Sequence, residues 1–503
     1  MNTLYSKQLL TNWYLYFRPR RETFTVVATA SPCMGSTPSI FYKWGGGIGP
    51  DHLTIETAHD EFLVTADGRE IIDAASGAAV VNLGHSVPGL EDAVSDQLAD
   101  VSYLSLSHFT NEEPERLADQ LTERAPGDLN SAFFVTSGSE ANESAFKLAR
   151  AYHRERGNDR KHKIIGRWQS YHGATLGALS ASGNTARRDG YESQLQGWPH
   201  ISPAYPYRWE HDGTPEEQAV AAARELETTI KQEGAETIAA FIAEPVSGAS
   251  IPAAHPHSVY FEEIRRICDE YDVLFIADEI MTGFGRTGPL FAMERFDVVP
   301  DILTIGKGLS AGYTPISAAI VSDTISAEFD ASDPDGGSFA HGHTFAGNPL
   351  SAAIASHVVA QYTNEVLETG RQRGEQLVNA LEPLRDHPIV GDVRHAGAMI
   401  GLEFVADRET KQPFDPDLDV NGRVYERAME QDVYTYPGSG SVDGVAGDHL
   451  MLAPPLTVSE ASVEAIGEAV VTAVEDVAGD LEREGVLETG ADSQLESEPD
   501  PAD

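Results

Sequence analysis

Four short apolar runs constrain this chain more than any other feature. They are "SAFFVTSG", "TIAAFIAEP", "VLFIADE" and "DILTIG", and in each the apolar stretch gives way to a polar residue or a glycine. Runs of this length, apolar on both faces, read as buried strands. Helical patterns lie between them. "SEANESAFKLARAYHRERG" repeats apolar or small residues at Ala141, Ala145, Leu148, Ala149 and Tyr152. "SVYFEEIRRICDEYD" does so at Phe261, Ile264, Ile267, Cys268 and Tyr271, with Ser258 as the expected cap. Strand alternating with helix predicts an α/β fold with a mostly parallel sheet. Ligands of such sheets bind beyond the carboxyl ends of the strands. The residues that close the runs are therefore the site candidates: Ser137, Gly138, Ser139, Glu244, Asp278 and Lys307.

One of these runs leads into Gly283-Phe284-Gly285-Arg286-Thr287-Gly288, which fits the dinucleotide fingerprint G-x-G-x-x-G. That fingerprint works only where a helix opens inside it and aims its N-terminus at a pyrophosphate. Here Pro289-Leu290-Phe291 follows at once, and Glu279 to Thr282 separate the glycines from the strand. An NAD oxidoreductase is the weakest reading of the chain. The informative residue is the Asp before the glycines. A carboxylate ending so apolar a strand is partly buried, which costs several kcal/mol unless cations or donors compensate. Lys307 follows the next buried strand, between Gly306 and Gly308, in a chain where only eight of the 35 basic residues are Lys. A desolvated Lys has a lowered pKa and becomes a nucleophilic amine.

A buried Asp and a Schiff-base Lys together describe pyridoxal phosphate chemistry, in which the Asp holds the pyridine nitrogen protonated. The cofactor's phosphate needs a nest. "VTSGSEANE" offers one as a strand, a Ser-Gly-Ser turn and a helix N-terminus. Tyr171 in "SYHGAT" offers a ring to stack on the cofactor.

With these motifs in this order, the chain resembles the class III aminotransferases, pyridoxal-phosphate enzymes of fold type I. The resemblance covers roughly residues 41 to 458 and rests on "DAASGAAVVNLGH", "VTSGSEANESAFKLAR", "SYHGAT", "IAEPVSGA", "IADEIMTGFGRTG", "LTIGKGLSAGYTP", "HTFAGNP" and "LAPPLTV". It implies pyridoxal 5'-phosphate as cofactor, with Lys307 and Asp278 catalytic. Ile280 is then under the ring, Tyr171 above it, and Glu244 beside it. Gly138 and Ser139 form the phosphate turn, and Thr344 gives a phosphate contact across a dimer interface. It further implies a homodimer with sites at the interface, or a tetramer. A large domain with the central sheet spans 96–345. A small α+β domain is built from 34–95 and 346–482. GFGRTG is a fixed loop of the same family.

Departures from the pattern bear on substrate. Relatives acting on ornithine-type or 4-aminobutyrate-type substrates resemble one another in an Arg just before "PLT", which grips a carboxylate bidentately. Met451 stands there, and no Arg occurs between Arg427 and Arg483. Ala78 and Ala79 replace bulky residues of some amine-converting relatives, and Ala249 replaces a Glu of others. These changes resemble ω-amino acid:pyruvate and amine transaminases. Arg394 reads as structural. The expected reaction moves an amino group from a primary amine or ω-amino acid to a 2-oxo acid such as pyruvate, with ping-pong kinetics. The rivals are an aminomutase or decarboxylase on the same scaffold and a non-catalytic relative of the fold.

Composition sets the surroundings. The chain has 79 acidic against 35 basic residues, a formal net charge of −44, dispersed over surface helices. This sign excludes a nucleic-acid binder and suits life at high salt, where screening removes self-repulsion. No run of about 18 apolar residues exists, so no transmembrane helix is expected. Two cysteines, Cys33 and Cys268, make no disulfide framework, and a cytoplasmic location is expected. Residues 1–33 break from the acidic body, with one acid, Glu22, against Lys7, Arg18, Arg20 and Arg21. An export signal, a packing arm and a segment upstream of a natural start at Met34 compete, and the last is favoured. Residues 483–503 read as an acidic disordered tail.

Overall fold

The computed structural model describes residues 40–42, 47–48, 52–330 and 336–487. Residues 1–33 therefore lie outside the described residues, as do residues 488–503 of the expected tail. The chain divides by contacts into a unit ending at Thr54 and a unit from Ile55 onward. The first holds an antiparallel pair, Phe41–Tyr42 with Gly47–Ile48.

A seven-stranded sheet organises the second unit. Its strands are β1 (Leu129–Val135), β2 (Lys163–Arg167), β3 (His200–Ile201), β4 (Ile238–Ala243), β5 (Leu274–Glu279), β6 (Ile302–Ile305) and β7 (Ser317–Ser322). Their spatial order is β1-β7-β6-β5-β4-β2-β3. β4, β5 and β6 pair in parallel, as do β2 and β4. Every residue of β4, β5 and β6 is buried, which is why these runs lack the alternation of a half-exposed strand. β7 runs antiparallel to both β6 and β1. The sheet is thus mixed but mostly parallel, the expected α/β class. β1, antiparallel to β7, points the same way as β4, β5 and β6. The carboxyl ends of these four strands share one edge.

Helices cover the sheet. The helix α1 (Gly138–Glu155) follows β1, with Ala141, Ala145, Leu148, Ala149 and Tyr152 all buried. Ser137 caps it by accepting from Glu140 N. The helix α2 (Pro215–Glu233) begins with a Thr214/Glu217 capping box. The helix α3 (Val259–Glu270) buries Phe261, Ile264, Ile267 and Cys268. Ser258 precedes it with helical dihedrals and makes no side-chain cap, unlike the expectation.

A second core lies apart from the first. Leu377, Phe404, Val424, Ile466, Val470 and Val474 belong to it. A four-stranded sheet contributes, from strands Val390–Ala396, Met399–Phe404, His449–Leu452 and Tyr436–Gly438. Another joins the ends of the unit: Val433–Tyr434 pairs in parallel with Glu70–Asp73. The helix Glu460–Arg483 closes this region at the edge of the acidic tail. No helix among the described residues is long and apolar enough to cross a membrane.

Candidate active site

Asp278 is the penultimate residue of β5, at the shared strand edge, and is 3% exposed. Its Oδ2 accepts from Asn142 Nδ2 at 2.9 Å and faces His172 Nδ1 at 2.7 Å. Its Oδ1 accepts from Ile280 N at 3.0 Å. Asn142 is itself fixed, because its Oδ1 accepts from Thr304 Oγ1 at 2.8 Å and its Nδ2 also donates to His172 O at 2.7 Å. The carboxylate is thus oriented by α1, β5, β6 and the segment after β2 together.

Lys307 follows β6 with φ of 44°. A left-handed backbone at a non-glycine residue costs about 1–3 kcal/mol, and such strain clusters at functional positions. The flanking glycines have steric causes. A Cβ on Gly306 would sit 2.6 Å from Ser317 Oγ, and one on Gly308 would sit 2.6 Å from Asn82 Nδ2. Burial holds the Lys307 ammonium down, to about 8, against the opposing pull of Asp278 and Glu244. About a tenth of the amine is then neutral at pH 7, far more than for an ordinary lysine.

Lys307 and Asp278 line one cavity of about 510 Å³. Gly138, Ser139, Tyr171, Glu244 and Ile280 line it too. At one end lies the N-terminus of α1, where the first N–H groups have no helical acceptor. Ser139 Oγ accepts from Ala174 N at 3.0 Å and so ties this turn to the "YHGAT" segment. Ile280 fits between two glycines: its Cγ2 would stand 2.9 Å from a Cβ on Gly138, and its Cδ1 3.3 Å from one on Gly306. Glu244 is 6% exposed, and burial raises its carboxyl above the usual range. Its Oε1 accepts from Gly248 N at 3.0 Å, while its buried Oε2 has no partner among the described residues. Tyr171 carries the guanidinium of Arg187 4.3 Å from its ring centroid.

This donor set fits pyridoxal phosphate. A shielded amine, an oriented carboxylate, an aliphatic side chain, an aromatic ring and a helix N-terminus face one volume of suitable size. A buried carboxylate oxygen without a partner also suits a site that receives a polar ligand. Among the described residues no cluster suits a metal ion.

Other expected positions lie elsewhere. Thr344 is exposed and lines a second cavity with Tyr103, Phe133, His341 and His343. Met451 is fully buried in an apolar cluster with Ala79, Val246, Ala253 and Met399, and does not line the Lys307 cavity. Val80 and Ala249 line that cavity instead, whereas Ala78 and Ala79 do not. Arg394 is structural: it donates to Pro252 O at 2.6 Å and to Tyr205 Oη, Asp392 and Glu403. Arg286 explains the glycine-rich loop. It is wholly buried and donates to Ala398 O, Pro454 O, Ser76 Oγ and Asn82 Oδ1. Gly285, at φ 80°, leaves no room for a Cβ, which would meet Leu367 Cδ2 at 2.5 Å.

Asn142 and His172 are the site residues that sequence reasoning missed. Both stood inside quoted motifs, and the usable signal was polar type at buried positions. Asn142 falls on the apolar face of α1, next to Ala141 and Ala145.

Comparison with known proteins agrees with this geometry. The family described as "Aminotransferase class-III" matches residues 47–474. An uncharacterized aminotransferase, YodT, of Bacillus subtilis is 40% identical over 82% of this chain and 92% of its own. The putrescine–pyruvate aminotransferase of Pseudomonas aeruginosa is 33% identical over 82% of this chain and 88% of its own. A thermostable (S)-enantioselective omega-transaminase from Thermomicrobium roseum superposes with a TM-score of 0.79 at 34% identity, over 85% of this chain and 93% of its own. The chain belongs to the class III aminotransferases, fold type I enzymes whose cofactor is pyridoxal 5'-phosphate.

Proposed function

We propose that the protein moves an amino group from a primary amine or ω-amino acid to a 2-oxo acid such as pyruvate, in two half-reactions sharing one site. The observation that carries this reading is the cavity itself. Lys307 and Asp278 line it, and among the described residues no arginine does. A donor without a carboxylate therefore leaves no buried cation unpaired there.

When bound, pyridoxal phosphate supplies a ring that draws electrons from the carbon bearing the amine. Asp278 presents an oriented carboxylate to the ring nitrogen. Lys307, held down to about 8, passes a proton at its Nζ in either direction near neutral pH. Tyr171 and Ile280, which both line the cavity, would hold the ring when it is bound. Gly138 and Ser139 present N–H groups to the phosphate. Glu244 lines the same cavity and would face the bound cofactor.

We further read the chain as a homodimer in which Thr344 serves the partner's phosphate. Its exposure, away from the cavity of its own subunit, supports that reading. The residues 34–95 and 346–482 form a small domain in this account, and 96–345 the large one.

The test is a panel of amines and ω-amino acids assayed with pyruvate and with 2-oxoglutarate in high salt. The account expects amine loss beyond one equivalent per site only when an acceptor is present. Carbon dioxide release would indicate a decarboxylase. Amine migration within one molecule, without acceptor, would indicate an aminomutase.

A further inference from the structure

Lys307 has a left-handed backbone that its surroundings must maintain. The turn after it supplies part of the restraint. Leu309 N donates to Gly306 O at 2.9 Å, Ser310 N to Lys307 O at 3.2 Å, and Ala311 N to Gly308 O at 3.2 Å. Ala311 is left-handed too, at φ 46°, so local preference works against this turn at two positions. Another restraint comes from far along the chain. Tyr362 Oη donates to Gly308 O at 2.6 Å, across 54 positions of sequence.

Tyr362 is fully buried and does not line the Lys307 cavity, so it acts from behind. Burial pushes its phenol above the ordinary range, and the hydroxyl therefore keeps its proton and donates. Its ring lies 5.4 Å from that of Phe284. A Cβ on Gly308 would meet Asn82 Nδ2 at 2.6 Å and Phe284 Cβ at 2.9 Å, so Gly308 is packed on one side and pinned at its carbonyl by Tyr362. Tyr362 is itself anchored. It closes the helix Pro349–Gln361, and Thr363 caps the helix Asn364–Ala380 directly after it. Arg124, just beyond the helix Glu112–Thr122, donates Nη1 to Val359 O at 2.9 Å and Nη2 to Tyr362 O at 2.5 Å.

We infer that Tyr362 is a positioning residue for Lys307: through Gly308 its hydroxyl holds the turn that keeps the lysine Nζ in the cavity, ready to bond to the cofactor's aldehyde. This rests on the reading of Lys307 as the lysine that carries the cofactor. In that step Nζ adds to the aldehyde carbon and the carbon–oxygen bond gives way to a carbon–nitrogen double bond. The oxygen leaves as water with the two amine protons, and no oxidant or reductant is needed. Without the Tyr362 hydroxyl only a fraction of chains holds the turn. The apparent affinity for a ligand that must bond to Lys307 falls by that fraction, whereas a ligand that binds without the bond is spared.

The experiment titrates the cofactor-free wild type and Tyr362→Phe with pyridoxal phosphate and with pyridoxamine phosphate, which carries an amine in place of the aldehyde and cannot bond to Lys307. Tyr362→Phe should weaken pyridoxal phosphate binding by about tenfold, the scale of one lost hydrogen bond. Its affinity for pyridoxamine phosphate should stay within about twofold. On a Lys307→Ala background, Tyr362→Phe should change neither affinity. Arg124→Gln loosens Tyr362 from outside and should show the same selective loss, at about threefold. It decides the matter if Tyr362→Phe does not fold. Equal losses for both ligands, or a loss that persists on the Lys307→Ala background, would show that Tyr362 only supports the fold. Unchanged pyridoxal phosphate affinity would overturn the assignment outright. If the wild type binds pyridoxal phosphate no better than Lys307→Ala does, the reading of Lys307 itself fails, and the role of Tyr362 falls with it.

Discussion

His172 Nδ1 lies 2.7 Å from Asp278 Oδ2, and both side chains are buried. Asn142 holds the same oxygen, and Ile280 N holds the other. The carboxylate proposed to meet the cofactor's ring nitrogen is therefore oriented by three protein groups.

Two variants separate the chemistry of Asp278 from its support. Asp278→Asn keeps the shape and removes the charge. It should retain the fold while kcat/KM falls by more than about 4 kcal/mol in transition-state stabilisation. Asn142→Ala strips a partner from Asp278 and from Thr304 at once. It should cost about 1–3 kcal/mol of stability, read by denaturant unfolding. Turnover of Asp278→Asn at the wild-type rate would make the Asp merely structural.

The Lys307 amine gives a pH signature. Burial lowers it to about 8 in the folded chain from the ordinary lysine value of 10.5. Between these values the unfolded chain binds more protons, so this group makes the cofactor-free protein more stable as pH rises. Its unfavourable effect is fully present below about 8 and fades toward 10.5. Cofactor-free Lys307→Met should therefore melt above the wild type at neutral pH, with the gap closing as pH rises through this window. A gap independent of pH would contradict the shift.

Gly138 is required by Ile280. A Cβ there would come within 2.9 Å of Ile280 Cγ2, which has its own neighbour in Gly306. Gly138→Ala should destabilise the cofactor-free protein by about 1–3 kcal/mol, the usual cost of overpacking. It should weaken cofactor binding by about tenfold or more, since the displaced side chain forms one wall of the ring site. Equilibrium titration with pyridoxal phosphate measures this directly, and unchanged affinity would remove Ile280 from that wall.

The legible parts of this protein were those with a local signature. β4, β5 and β6 are buried on both faces, so each appears as an unbroken apolar run, and the residues that end those runs are site residues. β7 was not read because its run "SAAIVS" is rich in small residues and follows a turn-forming "GYTP". Asn142 and His172 were missed for a different reason. Their meaning lies in contacts across 136 and 106 positions of sequence, which no window spans. Met451 was placed by its neighbours in the chain, yet its strand turns it into the apolar cluster around Met399.

The acidic surface should make stability depend on salt. With a formal net charge of −44, repulsion is unscreened in dilute buffer and confined to about 3 Å in 1 M salt. Melting temperature should rise steadily from dilute buffer to molar potassium chloride. A flat or falling curve would leave the acidity without this explanation.

The most direct test of the account is to locate the covalent bond between cofactor and chain. Purified holoenzyme is reduced with borohydride, digested, and its pyridoxyl-bearing peptide sequenced by mass spectrometry, in parallel with Lys307→Ala. The account predicts the label on Lys307 alone among the eight lysines, and no amine transfer by Lys307→Ala. A label on another lysine, or an Lys307→Ala enzyme that still transfers amine to pyruvate, would contradict it.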